Sequence, residues 1–133
     1  MCIFCDIANK KIPAFVVYED EKVMAFLDIR PANIGHTLVI PKKHYNNILD
    51  VDEDDLKAMI LVVKKISEAI VTILEPDGIN ILQNNNPAAG QEIEHIHFHI
   101  IPRWENDEVT IKWKHQEVKD AEELAKKLRE IVE

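Results

Sequence analysis

Apolar and polar positions along this chain change their period several times, and each change marks an element. Ala14 to Tyr18 and Val23 to Asp28 are runs rich in β-branched and aromatic residues. The charged quartet Glu19-Asp20-Glu21-Lys22 separates them, so the pair predicts a hairpin. Pro31 and Gly35 mark a loop before a third strand, His36 to Ile40, which Pro41 closes. From Glu53 to Leu74 the period becomes helical: Leu56, Met59, Ile60, Val63, Ile66, Ile70, Ile73 and Leu74 form one stripe, with Asp52 placed to cap its start. Such a stripe on a single long helix predicts packing against a sheet.

Glu75-Pro76-Asp77-Gly78 ends that helix, and the strand period returns at Ile79 to Gln83. Asn84 to Gly90 reads as a loop of turn formers, and Ile93 to Ile101 as a fifth strand. Val109 to Trp113 predicts a short extended piece. Asp120 is placed to cap a final amphipathic helix carrying Leu124, Leu128, Ile131 and Val132. Five strands with hairpin-like links, one long helix between the third and fourth, and a C-terminal helix predict an α+β domain on a mostly antiparallel sheet. No repeat or linker divides the chain, so residues 1–133 are one domain, with 104–133 as a C-terminal extension.

Composition adds limits rather than a fold. With 47% hydrophobic residues and three glycines, the 133-residue chain has the makeup of an ordinary globular domain. The formal net charge is −8, from 24 acidic against 16 basic residues, and no basic stripe runs along any element. A nucleic acid polymer is therefore not an expected partner, and a small anion would have to be met by local potential from imidazoles, backbone N–H groups or a helix terminus. No run of eighteen apolar residues spans a membrane, and the N-terminus carries no basic, apolar leader pattern, which gives a cytoplasmic expectation. Both cysteines, Cys2 and Cys5, fall in the first five residues at ligand spacing. That spacing fits half of a tetrahedral metal site; a redox pair and two packed core cysteines are the other readings.

The chemistry concentrates in His95-Ile96-His97-Phe98-His99-Ile100-Ile101. In an extended chain alternate side chains share a face, so the three imidazoles line one side while Ile96, Phe98 and Ile100 take the other. Imidazoles this close repel as cations and stay mostly neutral at pH 7, which leaves a nitrogen lone pair available for attack on an electrophile. The same row could hold a metal ion on three histidines, and spacing alone leaves both chemistries open.

That row resembles the His-φ-His-φ-His-φ-φ signature of the histidine triad (HIT) superfamily. Asp28-Ile29, Gly35 to His44 and Asn84 to Gln91 resemble family segments in the same order, so the likeness spans residues 2–103. The resemblance implies a HIT-like fold and a nucleotidyl hydrolase or transferase that cleaves a nucleoside 5′-monophosphate from a leaving group through a covalent nucleotidyl-histidine. It gives His97 the nucleophile's role and His99 an assisting one. It places Asp28 at the ribose, and His36, Asn84, Gln91 and His99 at the phosphate. Phe4, Ile7, Ile12, Phe26 and Ile29 match apolar positions around a purine of the AMP type. The Cys-x-x-Cys start is similar to the zinc-containing branch, in which His44 and His95 join Cys2 and Cys5 around a structural zinc. A homodimer formed through one continuous sheet is implied as well.

One position departs from the pattern: Glu92 stands where related phosphoramidases carry serine and dinucleoside polyphosphate hydrolases threonine. A carboxylate there repels a polyphosphate and attracts a cationic amine, which favours a nucleoside phosphoramidate substrate. Against it, Pro102-Arg103 and the Pro87 to Gln91 loop resemble the dinucleoside polyphosphate hydrolases. A non-catalytic zinc-containing nucleotide-binding adaptor is the further alternative. Trp104, Trp113 and the rest of residues 104–133 match no motif.

Overall fold

The computed structural model describes residues 2–132; Met1 and Glu133, the two ends of the predicted domain, lie outside the described residues. Five strands form one sheet in the order β1-β2-β3-β5-β4: β1 (Val16–Glu19), β2 (Val23–Leu27), β3 (Thr37–Pro41), β4 (Gly78–Gln83) and β5 (Phe98–Arg103). Every neighbouring pair is antiparallel, as the hairpin-like links predict. The β1–β2 turn closes where Asp20 Oδ1 accepts the backbone N–H groups of Lys22 and Val23, each at 2.8 Å.

Alternation along the central strands builds two apolar layers. Val23, Ala25, Val39, Ile96, Phe98 and Ile100 point to one face of the sheet, where the long helix α2 (Glu53–Leu74) lays Met59, Val62, Val63, Ile66 and Ile70 against them. Met24, Phe26, Leu38 and Ile40 point to the other, under Phe4 and Ala8 of the first helix, α1 (Ile3–Ala8). Burying such side chains contributes on the order of 1.5–3 kcal/mol each. The predicted helix boundaries at 53 and 74 hold, as does the Asp52 cap, whose carboxylate accepts the N–H groups of Asp54 and Asp55. Ile60 and Ile73 leave the predicted stripe and stand 45% and 75% exposed, while Val62 replaces them in the core. Ile60 lies about 100° around the helix from Met59, so it falls on the flank.

Three predictions need correction, and one helix was not predicted at all. Helix α1 has no sequence signal, because its capping atom is the Cys2 sulfur, which accepts the Cys5 N–H at 3.3 Å. The fifth strand joins the ladder at Phe98 rather than Ile93 and continues to Arg103. Pro102 is tolerated there because β3 pairs with β5 only as far as Ile100. Val109 to Trp113 forms no strand pairing among the described residues, and every residue from Thr110 to Leu124 is exposed. The C-terminal helix α3 (Ala121–Val132) forms as predicted, but Asp120 at its start has φ of 50°, outside the extended conformation a capping side chain needs.

Candidate active site and metal centre

Although His95 and His97 precede the paired part of β5, the alternation survives. The peptide of Ile96 donates its N–H to Tyr45 O at 2.8 Å, which holds this stretch extended. His95, His97 and His99 share the α1 side: Phe4 meets His97 edge-on at 5.0 Å between ring centres and His95 at 6.0 Å. His97 and His99 stand 4.8 Å apart. β3 brings in His36 just before its first residue. Gly35 is required ahead of it, because φ is 85° and a Cβ would lie 2.5 Å from Leu74 Cδ1.

Hydrogen bonds fix which nitrogen of each ring carries the proton. A carbonyl can only accept, so the 2.8 Å contact of His97 Nδ1 with His95 O is an Nδ1–H donor, and Nε2 keeps a free lone pair. His36 Nδ1 accepts the Ala32 N–H at 2.9 Å. Its proton therefore sits on Nε2 and is donated to His99 Nδ1, also at 2.9 Å. His99 then keeps its own proton on Nε2. Burial holds all of these rings below the ordinary imidazole value, opposed at His97 by the His95 carbonyl and the Asp28 and Glu92 charges. At His99, burial and the neighbouring His97 and His36 push it down to about 4. Neutral pH thus finds a row of uncharged bases and donors.

Beneath these rings opens a cavity of about 740 Å³, within the size range of small-molecule sites. Phe4, Ile7, Ile12, Phe26, Asp28, Ile29, His36, Asn84, His97 and His99 all line it, together with Glu92. Asp28 Oδ1 accepts the Arg30 N–H at 2.8 Å, and Oδ2 stands 3.6 Å from His36 Nε2. Gln91 is the exception among the proposed contacts. It is buried outside the cavity lining, its Oε1 accepting the Asn86 N–H at 2.7 Å and its Nε2 donating to Asn46 O at 2.6 Å and Ile93 O at 3.1 Å. The amide thus ties the Asn84 to Gly90 loop, through Asn86, to the backbone at Asn46 and Ile93. Arg30 and Leu82 also line the cavity and carried no sequence signal. Arg103 lies at the far end of β5, held by Asp107 and Asn80, and does not reach the cavity.

Cys2, Cys5, His44 and His95 converge beside the row. The Sγ atoms are 3.3 Å apart, and sulfur-to-Nδ1 distances run from 3.3 to 3.8 Å. Tetrahedral zinc with bonds of about 2.3 Å to sulfur and about 2.0–2.1 Å to nitrogen needs about 3.5–3.6 Å between sulfur and nitrogen, which these distances bracket, and about 3.8 Å between the sulfurs, which must part by about half an ångström. Tautomers agree: His95 donates Nε2–H to Pro41 O at 2.9 Å and His44 donates to Asn46 Oδ1 at 3.1 Å, so both Nδ1 lone pairs turn toward the thiols. This donor set fits zinc. A second group, Asp28, His36 and His99, is equally close. It does not fit, because His36 uses its one lone pair on Ala32 and presents a proton to the others. With His95 turned to the cysteines, no metal site on all three row histidines forms among the described residues.

The family model for the HIT domain matches residues 9–106. The chain belongs to the HIT family. The adenosine 5′-monophosphoramidase HNT1 of Saccharomyces cerevisiae is 38% identical to this HIT chain over 98% of its length and 80% of that protein. A HIT family protein from Bacillus subtilis, solved as a crystal structure, superposes with a TM-score of 0.91 at 41% identity, covering 98% of this chain and 96% of that one. A zinc-bound histidine triad family protein from Mycobacterium smegmatis superposes with a TM-score of 0.78 at 39% identity, covering 86% and 84%. HIT membership thus rests on the whole chain as well as on the histidine row, and it carries the coarse assignment of a nucleotide hydrolase family.

Proposed function

We propose that this HIT protein hydrolyses nucleoside 5′-phosphoramidates through a covalent intermediate on His97, with a purine nucleotide of the AMP type as the substrate's common part. The observation that carries the reading is the His97 Nδ1–H bond to the His95 carbonyl, which leaves Nε2 as a neutral nucleophile aimed at the cavity. Nε2 attacks phosphorus, the P–N bond to the leaving amine breaks, and that nitrogen takes a proton from water. The oxygen of that water then bonds to phosphorus, the bond from phosphorus to Nε2 breaks, and its electron pair returns to the ring. His99 Nε2–H and the Asn84 amide donate to the phosphoryl oxygens as charge develops on them. Asp28 Oδ2 accepts from the ribose hydroxyls, and Phe4, Ile7, Ile12, Phe26 and Ile29 enclose the base. Gln91 supports the phosphate loop from behind.

Cys2, Cys5, His44 and His95 would hold a structural zinc, which ties α1 and its cavity side chains to the histidine row. Two copies join through the free β4 edge, giving a homodimer in the cytoplasm. Glu92 on the cavity wall and the name borne by the yeast relative favour an amine leaving group. The placement of Arg103 away from the cavity weighs against reading Pro102-Arg103 as a polyphosphate contact. The decisive experiment presents adenosine phosphoramidate and a diadenosine polyphosphate to the enzyme and compares kcat/KM, alongside acid-quench trapping of a nucleotide on His97. Preference for the phosphoramidate with a trapped adduct is expected. Nucleotide binding without turnover of either substrate would replace this reading with the adaptor.

A further inference from the structure

Between β2 and β3 the chain makes a loop, residues 28–36, whose two ends bring Asp28 and His36 to the cavity wall. Little that is apolar holds the loop in place. Within residues 29–35 only Asn33 and Gly35 are not exposed, and Ile29 and Ile34 stand 79% and 69% exposed. Its internal bonds are short in range: the Asp28 N–H donates to His36 O at 2.9 Å, the His36 N–H to Asn33 O at 3.1 Å and the Ala32 N–H to His36 Nδ1 at 2.9 Å. Among the described residues, the only hydrogen bonds from residues 29–35 that reach beyond residues 28–37 come from one amide. Asn33 Nδ2 donates to Pro102 O and to Asp107 Oδ2, each at 2.9 Å.

The partner of that amide is itself firmly held. The Asp107 side chain is 9% exposed, and its carboxylate also accepts from Arg103 Nε and Nη2, both at 2.9 Å, and from the N–H groups of Trp104 and Val109 at 3.0 and 3.1 Å. Arg103 donates onward to Asn80 Oδ1 at 2.7 Å and Val109 O at 2.6 Å. A bidentate, charge-assisted pair of this kind fixes geometry as well as energy. Four of the five donors on Asp107 close the turn after β5, whereas Asn33 comes from 74 residues away in sequence. What the tethered loop delivers to the site is the Ala32 N–H. With that N–H on Nδ1, His36 donates from Nε2 to His99 Nδ1 at 2.9 Å, and His99 keeps its proton on Nε2. In the reverse order His36 carries its proton on Nδ1 and His99 donates from Nδ1, which leaves His99 Nε2 a bare lone pair with nothing to give a phosphoryl oxygen. Asp28 Oδ2, 3.6 Å from His36 Nε2, is beyond hydrogen-bond reach and does not impose either order that way.

We propose that Asn33 is a positioning residue for the reaction: tied to Asp107 and Pro102, it holds Ala32 where its N–H sets the proton order of His36 and His99, and so keeps His99 a donor to the phosphoryl group. The kinetic consequence rests on the reading of the site proposed above. The proton order itself does not, because it follows from the loop and its tether alone.

Imidazole nitrogen chemical shifts in isotope-labelled full-length protein test it, since protonated and bare ring nitrogens are told apart by NMR. In the parent at neutral pH, His36 and His99 should both be protonated on Nε2 and bare on Nδ1. Asn33→Ala cuts the tether but spares the four donors that close the turn, so Tm should stay within a few degrees of the parent. The signals of both rings should move together toward the reverse order. For the phosphoramidate, kcat should fall about fivefold, the ratio that one net backbone hydrogen bond sustains, with KM within about twofold of the parent. Asp107→Ala should reorder the two rings in the same direction at a larger cost in Tm. Loosening of the fold alone would lower Tm and leave both rings protonated as in the parent. Parental proton order in Asn33→Ala overturns the proposal whatever its kcat, and so does a reordered pair with kcat unchanged. Parental order in folded Asp107→Ala would leave the tether to Pro102 alone and overturn the part given to Asp107. If the parental protein turns over no substrate, the reading of the site fails separately, and the imidazole signals still decide for or against Asn33.

Discussion

Among the proposed roles, that of His97 depends least on the remainder of the site, because one hydrogen bond to its neighbour's carbonyl decides which nitrogen would attack. His97→Ala is expected to lower turnover by at least about 10³-fold while AMP binding, measured by calorimetry, stays within a few-fold of the parent. Residual turnover within about tenfold of the parent would remove His97 from the chemistry. Gln91 separates two roles in the same way. Its amide is committed to Asn86, Asn46 and Ile93, so Gln91→Ala leaves buried partners unpaired, at about 1–3 kcal/mol for each such group. The variant should lose several degrees of Tm and change KM only through the loosened loop. A large KM increase at unchanged Tm would show that Gln91 touches the phosphate directly.

Elements rather than single residues decide how the Cys2, Cys5, His44 and His95 donor group relates to the cavity. α1 supplies Cys5 to the donor set and Phe4 and Ile7 to the cavity wall, and Cys2 caps it. A six-residue helix has almost no stability of its own, so tertiary ties must hold it. Chelation of the proposed zinc is therefore expected to lower Tm and raise KM as α1 loosens, with kcat retained in molecules that stay folded. An immediate loss of kcat at unchanged Tm, reversed by zinc, would instead put the ion in the chemistry. This is also where the sequence was hardest to read. α2 was legible to both ends because its stripe, its aspartate cap and its Pro-containing stop agree. α1 was not, because a sulfur atom caps it and its apolar side chains serve a metal site and a cavity rather than a periodic face. The histidine alternation was legible from spacing alone, yet the start of the ladder at Phe98 was not, because a distant peptide, Tyr45, takes the Ile96 N–H.

At the scale of the molecule, buried neutral imidazoles and an acidic surface make stability depend on pH in a definite direction. His99, held down to about 4, and His36, also lowered, stay uncharged in the fold, whereas in the unfolded chain they take up protons near the ordinary value of 6.5. Between those values the unfolded state binds more protons, so stability is full above about 6.5 and is lost as pH falls toward 4. A second loss begins lower. Asp20, Asp50 and Asp107 are held below the ordinary carboxylate value of 3.8, Asp20 and Asp50 chiefly by backbone N–H donors and Asp107 by the Arg103 guanidinium. Their contribution disappears only as pH drops through those lowered values. The formal charge of −8 works the other way, since its self-repulsion fades as pH approaches the isoelectric point near 5.2. A Tm series from pH 7.5 to 4.5 should therefore decline, with the steeper part below 6.5. His99→Asn isolates the imidazole's share, because the variant keeps a donor but cannot take the proton, and its decline should be shallower than the parent's. Parallel curves for the two proteins would mean that His99 takes up its proton as readily in the fold as in the unfolded chain, and burial would then not be what keeps that ring of the row neutral.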